Sequence, residues 1–261
     1  ENLNINDYKV NGSLKKINIE ALKNLKIRDV SFNFISDRNL TLINSLKAKY
    51  QGILISNGSL SLKTDKQKDI EGKFNSQFDL SGKEINKLVA TSNIIFLEKN
   101  NLSVKGSLLH SFKFKLDENF KLVDYDYKSN GKISESQIDL KENFKSQFVE
   151  KQIKKFLISK ANISINLNKQ KNNLLLLEGL YNLGSAENKK FKISHGLNKK
   201  NSKYLVDFDL AENIILEFIN FKSDFKKGSN IKSEINFINN EIIFKYIKFT
   251  EDKNLISINN L

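Results

Sequence analysis

The chain contains no cysteine, proline, methionine or tryptophan, and each absence removes a class of structure. Without cysteine there is no disulfide framework and no thiolate metal site, and the redox compartment is left open. Without proline, and with only 11 glycines in 261 residues, no linker rich in either residue divides the chain. No run approaches the ~18 uninterrupted apolar residues of a membrane span, and Leu174–Leu177 ends at once in Glu178. The start carries no signal-peptide pattern. A chain that opens on Glu1 and lacks methionine is expected to be a mature or excised piece of a longer protein, with any targeting segment or anchor outside it.

Arginine is scarce as well. Arg28 and Arg38 stand beside an abundance of lysine, and the formal net charge is +13. Asn, Ile, Lys and Phe are the residues that AT-rich codons favour, so the basic excess follows from composition as readily as from an anionic partner. A charged surface keeps a large sheet soluble without defining its fold.

What is present is alternation. From Ile70 to Leu80 the even positions are Ile70, Gly72, Phe74, Ser76, Phe78 and Leu80, with Glu71, Lys73, Asn75, Gln77 and Asp79 between them. Successive side chains of a strand point to opposite sides, so this is a strand with one dry and one wet side. Val104, Gly106, Leu108, His110, Phe112, Phe114 and Leu116 repeat the pattern, and shorter versions lie at Ala161–Asn168, Phe191–Leu197, Tyr204–Leu210 and Ile231–Phe237. Turn residues separate them at Asp117-Glu118-Asn119, Asn168 to Asn173 and Asn198 to Ser202. Gaps this short suit antiparallel hairpins and meanders rather than parallel crossovers. The expected fold class is therefore all-β, a long antiparallel meander with few short helices. Ser81-Gly-Lys-Glu84 reads as a capping box with Ile85, Leu88 and Val89 behind it, and Phe144 to Leu157 is the best longer helical candidate. Asn11-Gly-Ser-Leu14, Asn57-Gly-Ser-Leu60 and Lys105-Gly-Ser-Leu108 form a weak internal repeat.

Catalysis has little to work with. His110 and His195 both fall on the apolar sides of strands, where a lone histidine is more often a satisfied interior residue than a base. A zinc site would need carboxylates at matching places, and no P-loop, dinucleotide fingerprint or nucleophile elbow is present. Asp124 with Asp126, and Asp207 with Asp209, share strand sides and suit a solvated surface better than a cation. The expectation is no enzyme, no cofactor and no metal. Nucleic acid is not an expected partner, because the phenylalanines lie on the side opposite the lysines and bases could not stack there while Lys gripped phosphate.

A sheet with one apolar side must bury it. A sandwich, a closed barrel or a curled sheet with an apolar filling would each do so, and pattern alone does not choose. Two stretches bear on the choice. One runs from Gly12-Ser-Leu through Leu22-Lys-Asn-Leu25, Val30-Ser-Phe32-Asn-Phe34 and Leu40-Thr-Leu42 to Gly52-Ile-Leu-Ile-Ser-Asn-Gly58. The other runs from Val206-Asp-Phe-Asp-Leu-Ala211 through Ile214-Ile-Leu-Glu-Phe-Ile-Asn-Phe-Lys222 to Lys227-Gly228. Both resemble the AsmA-like proteins of the bacterial envelope, the YhdP and TamB relatives among them. On that pattern Ile214–Phe221 is expected to be a strand.

The resemblance implies a single continuous segment over 1–261, curled into an open U-shaped groove with an apolar concave side. It implies a lipid transport protein of Gram-negative bacteria that carries phospholipid acyl chains between inner and outer membranes. Such a protein is periplasmic and anchored to the inner membrane through regions outside this fragment. The groove would be lined by Ile70, Phe74, Phe78, Leu80, Val104, Leu108 and Phe112, and further along by Phe114, Leu116, Ile163, Ile165, Val206 and Phe208. The competing expectation is a structural or adhesive all-β domain, a sandwich or β-solenoid, without a lipid role.

Overall fold

The structure is a computed structural model that describes residues 7–21, 25–65, 67–89, 101–144, 149, 152–169, 173–184, 187–197, 201–238 and 241–260. The first strands are β1 (Lys9–Ala21), β2 (Leu25–Asp37), β3 (Leu40–Tyr50), β4 (Ile53–Thr64) and β5 (Lys68–Leu80). After helix α1 (Gly82–Val89) come β6 (Asn101–Leu116), β7 (Leu122–Phe144), β8 (Ile153–Asn168), β9 (Asn173–Asn182), β10 (Lys189–Leu197) and β11 (Asn201–Asp209). Two-residue strands β12 (Ile215–Leu216) and β13 (Phe221–Lys222) precede β14 (Asn230–Ile238), β15 (Glu241–Glu251) and β16 (Asn254–Asn259).

All but β12 and β13 form one 14-stranded antiparallel sheet in chain order, β1 through β11 and then β14, β15 and β16. The ends of that order, β1 and β16, do not meet, so the sheet is not a closed barrel. Each alternating run read from the sequence lies within one of these strands, except that Tyr204–Leu210 runs one residue past the end of β11. The turns follow the chemistry of their residues. Asp37 Oδ1 accepts from the N–H groups of Asn39 and Leu40 at 2.9 and 2.8 Å, and Asp117 Oδ1 does the same for Asn119 and Lys121, both at 2.9 Å. A short carboxylate that bonds its own backbone two to four residues on holds the chain in a turn.

Strands β1 to β4 are not simple alternators. Lys16, Asp29, Ser45 and Asn57 have φ of 52°, 54°, 55° and 51°, in the left-handed region that costs most residues about 1 kcal/mol or more. Beside each the pairing slips by a residue, between Leu14 and Ile17, Arg28 and Ser31, Ile43 and Leu46, and Ser56 and Ser59. These are β-bulges, in which an extra residue bends the strand and increases its twist. Each also resets side-chain parity, so that Ile43 and Leu46 point the same way although they are three apart. Lys160, at φ 50°, acts alike in β8, where Ile158 and Ala161 both reach one cluster. The edge strand β1 combines its bulge with Lys9, Lys15 and Lys16, a charged and kinked edge that discourages stray pairing.

Helix α1 forms where the capping box predicts it. The Ser81 N–H donates to Glu84 Oε2 at 3.1 Å, the Ser81 hydroxyl bonds the same carboxylate, and Ile85 is buried. Two expectations need correction. Ile214–Phe221 is not a strand: Ile215–Leu216 and Phe221–Lys222 pair as two short pieces around a 3-10 turn at Glu217–Ile219. Asn220, at φ 50°, closes that turn with its N–H on the Glu217 carbonyl. The helical pattern over Phe144 to Leu157 also fails from Ile153 onward, which is strand β8, and Phe144 ends β7; residues 145–148 and 150–151 lie outside the described residues. Among the described residues of that pattern, Val149 forms an isolated bridge to Ile214, and Ile153, Phe156 and Leu157 lie in β8.

By compactness the described residues fall into two units. The first draws on Glu1–Asp79, Ser107–Gly131 and Asn166–Lys171, the second on Leu80–Gly106, Lys132–Ile165 and Asn172–Leu261. Strands β6, β7 and β8 contribute to both.

Two glycines report how tightly neighbouring strands approach. A Cβ on Gly72 would lie 2.5 Å from Phe112 Cζ, whereas one on Gly131 would lie 2.0 Å from the Ser107 carbonyl oxygen and 2.8 Å from Leu108 Cα. A ring tip can tilt away, but backbone cannot. Gly72→Ala is expected to cost about 1 kcal/mol and Gly131→Ala about 3 kcal/mol or more. Chemical denaturation of both variants tests this, and the reverse order of stabilities would contradict the packing described.

Candidate functional site

Paired residues of an antiparallel ladder share a side of the sheet, so register identifies neighbours directly. In the first unit Gly12 pairs with Phe34, Leu14 with Phe32, Phe34 with Ile43, Ile43 with Leu60, and Leu62 with Ile70. Past the bulges, Ile17 pairs with Val30, Leu46 with Gly58, Ala48 with Ile55, Ile53 with Phe78, and Ile55 with Ser76. The same side continues into β6 and β7, where Phe74 stacks on His110 at 4.4 Å between centroids and Phe112 stacks on Phe114 at 5.0 Å. Phe32, Phe34, Phe74, Phe78, Phe112 and Phe114 are all half-buried rather than enclosed. Every described element of this unit is a strand of the one sheet, so among the described residues it has no second layer.

Of the residues expected to line a groove, Ile70, Phe74, Phe78, Leu108, Phe112, Phe114 and Leu116 belong to this unit. Leu80, Val104, Ile163, Ile165, Val206 and Phe208 belong to the other. Within the second unit Val206 pairs with Ile193, and Phe208 with Phe191. Ile163 and Ile165 follow Ala161 at strand spacing. The sequence reading missed Phe32, Phe34, Ile43, Leu46, Ile53, Ile55 and Leu60, because bulges interrupt their alternation.

The second unit is built differently. Ala161, Tyr181, Phe191 and Ala211 are buried together, with Ile133, Phe156, Ile158, Leu177, Ile193 and Phe208 packed around them. Tyr181 touches three rings, stacked on Phe156 at 5.2 Å and edge-on to Phe191 and Phe208 at 6.1 and 5.2 Å. Its hydroxyl donates to the Asp209 carbonyl at 2.7 Å, and burial pushes its pKa up to about 12.

The other side of the sheet carries cross-strand ion pairs, Lys113 with Glu71 at 3.1 Å in the first unit, and Lys192 with Glu178 at 3.3 Å and Lys232 with Asp207 at 3.1 Å in the second. Two hollows adjoin these pairs. One of about 440 Å³ is bordered by Glu71, Lys73, Lys113 and Lys128 together with Leu42, Ile43, Leu60 and Phe112, and one of about 720 Å³ by Glu178, Lys192, Asp207 and Lys232 together with Leu180 and Phe191. The carboxylate pairs are occupied by neighbours: Asn230 Nδ2 donates to Asp207 Oδ1 at 2.7 Å and Asp209 Oδ1 at 3.0 Å, and Asp126 lies 3.7 Å from Lys128.

Both histidines sit where the alternation put them. His110 is buried, with Nε2 2.7 Å from Ser76 Oγ and Nδ1 2.8 Å from the Tyr127 hydroxyl. His195 stacks on Tyr204 at 4.0 Å, and its Nε2 is buried with no hydrogen-bond partner among the described residues. Desolvation lowers the pKa of each below its usual 6.5, because burial disfavours the imidazolium.

Comparison of the chain with family models, with curated proteins and with solved structures returned no match.

The histidine shifts set a sign for acid sensitivity. Each group prefers to be neutral when folded, so the unfolded chain takes up protons first as pH falls below 6.5. Stability is full above that value, declines as pH drops through it, and levels off below the folded pKa values. Urea midpoints at pH 7.5 and 5.5 are expected to fall for the wild type and to fall less for His110→Gln. An equal fall in both proteins would remove His110 from the account.

Proposed function

We propose that this chain is a segment of an envelope-spanning lipid transport protein, in which an apolar β-groove carries phospholipid acyl chains between inner and outer membranes. One observation carries the reading: in the first unit large side chains such as Phe34, Phe74 and Phe112 are half-buried on a sheet side over which no described element of that unit lies. An exposed apolar area of that kind is rare on a soluble chain unless it binds something. Acyl chains suit it, since each methylene withdrawn from water contributes about 0.8 kcal/mol and no directional partner is required. The resemblance to AsmA-like proteins supports the same reading. Lysines at the margins would draw anionic headgroups with modest, salt-dependent strength.

A second reading, a structural or adhesive all-β domain, draws on the second unit, whose aromatic cluster is enclosed by its own chain. Phe112→Glu separates the two. It places a carboxylate on the uncovered side without removing a backbone hydrogen bond. In a lipid groove the variant is expected to stay folded, because water replaces the missing ligand, while lipid is lost, since burying the charge against acyl chains costs several kcal/mol. Mass spectrometry of extracts from protein purified out of bacteria, alongside thermal melting, reads both. A lipid-free wild type with a collapsed variant would mean that the side is an ordinary core and the lipid reading is wrong.

A further inference from the structure

The second unit carries an excursion between β11 and β14, residues 210–229, that lies across the same sheet side on which its aromatic residues meet. Register fixes that side: Phe191 pairs with Gly179 and Phe208, Phe208 with Ile231, and Ile231 with Phe249. The excursion touches it at three places. Ala211 is buried in the cluster with Ala161, Tyr181 and Phe191. Phe221 packs edge-on against Phe249 at 5.4 Å, and the Lys189 ammonium lies 5.3 Å from the centre of the Phe225 ring. Among the described residues the two phenylalanines more than nine-tenths buried are Phe191 and Phe249, both beneath this segment.

The segment is clipped from below. Glu251, the last residue of β15, is 6 % exposed, and its Oε1 accepts from the Asp224 N–H and lies 2.9 Å from the Ser229 hydroxyl. The Ser229 oxygen is also 3.1 Å from the Asp224 carbonyl, so its single proton serves one acceptor at a time. Within the segment, Ser223 Oγ accepts from the Ile214 N–H at 2.7 Å and Asn213 Oδ1 from the Phe225 N–H at 3.1 Å. A carboxylate this buried is costly unless its bonds are made, and the bonds it makes are to the cover.

We infer that residues 210–229 are a built-in occupant of the second unit's apolar side, held down by Glu251, and that acyl chains are confined to the first unit. This rests on the lipid reading for its second half only; the clip stands on geometry alone. It reassigns Phe208 from groove lining to protein core.

Two measurements on the whole chain test it. A phospholipid with a photoreactive diazirine in its acyl chain is bound to the protein, cross-linked and mapped by peptide mass spectrometry. Peptides holding Phe74 and Phe112 are expected to carry the label, and those holding Phe191 and Phe208 to be spared. In Glu251→Ala the second pair should become labelled. Amide hydrogen exchange at Ile214, Asp224 and Phe225 should accelerate roughly tenfold or more in Glu251→Ala, while Glu251→Gln, which keeps the acceptor oxygen, should retain protection. If Glu251→Ala loosens β14 and β15 as well, Ser229→Ala removes one clip and serves the same comparison. Equal labelling of Phe112 and Phe208 peptides in the wild type overturns the confinement, and unchanged exchange in the alanine variants overturns the clip. Absence of label anywhere sinks the lipid reading, while the exchange data still decide on the cover.

Discussion

The ladder register is the constraint on which the rest of this molecule depends. Strand side chains have a period of two, so a slip of one residue would move every Phe and Ile of a strand to the wet side. The pairing of Leu14 with Phe32, Phe34 with Ile43, and Ile43 with Leu60 holds only because bulges at Lys16, Asp29, Ser45 and Asn57 absorb one residue each. Those bulges fall in four successive strands beside one another, so the strain of four left-handed residues is accepted together. What it yields is a strongly twisted sheet whose large apolar residues stay on one side through β1 to β4.

That device also explains what could be read from the sequence and what could not. Strands β5, β6, β10, β11 and β14 carry no left-handed residue, and their alternation is plain in the residues Phe74-x-Ser76-x-Phe78 or Phe112-x-Phe114. In β2, Ile27 and Val30 point the same way across Asp29, which reads as no period at all. The turns at Asp117 and the cap at Ser81 were legible because their chemistry is local: one side-chain oxygen bonds backbone a few residues away. The 210–229 excursion was not, since its conformation depends on Glu251 and Phe249, which lie beyond it on β15. A stretch such as Ile214-Ile-Leu-Glu-Phe-Ile has the composition of a strand, and its tertiary partners decide otherwise.

Polar groups placed on the apolar side are treated with matching care. His110 has both ring nitrogens within hydrogen-bond distance of hydroxyls, Ser76 on β5 and Tyr127 on β7, so one imidazole ties three strands together. A neutral imidazole has one donor and one acceptor nitrogen, and a hydroxyl can serve either. Both bonds are therefore made whichever tautomer is present. The side chains in contact with His110 from β5 and β7 are Phe74, Ser76 and Tyr127, none of them a carboxylate. This is the arrangement of a structural histidine whose burial makes the sheet sensitive to acid.

The two units solve one problem in two ways. Each presents aromatic and branched residues on one side of a sheet that cannot leave them all in water. In the second unit the chain supplies its own lid, and the result is an enclosed cluster around Tyr181 with rings 5.2 to 6.1 Å apart. In the first unit that unit's own described residues supply none, and Phe32, Phe34, Phe74 and Phe112 remain half-buried beside their neighbours along the ladder. Lateral shelter removes part of each ring from water but leaves its outward surface wet, so the hydrophobic term there is only partly collected. A filling that needs no fixed geometry, can be replaced unit by unit along its length and leaves its polar end in water would recover the remainder. Hydrocarbon chains of a lipid meet those conditions, and a folded protein partner meets only the first two poorly. The two units thus differ in what their own chain lays over their rings: residues 210–229 in the second, and no described element of its own in the first, where the phenylalanines are as large and the register as strictly kept.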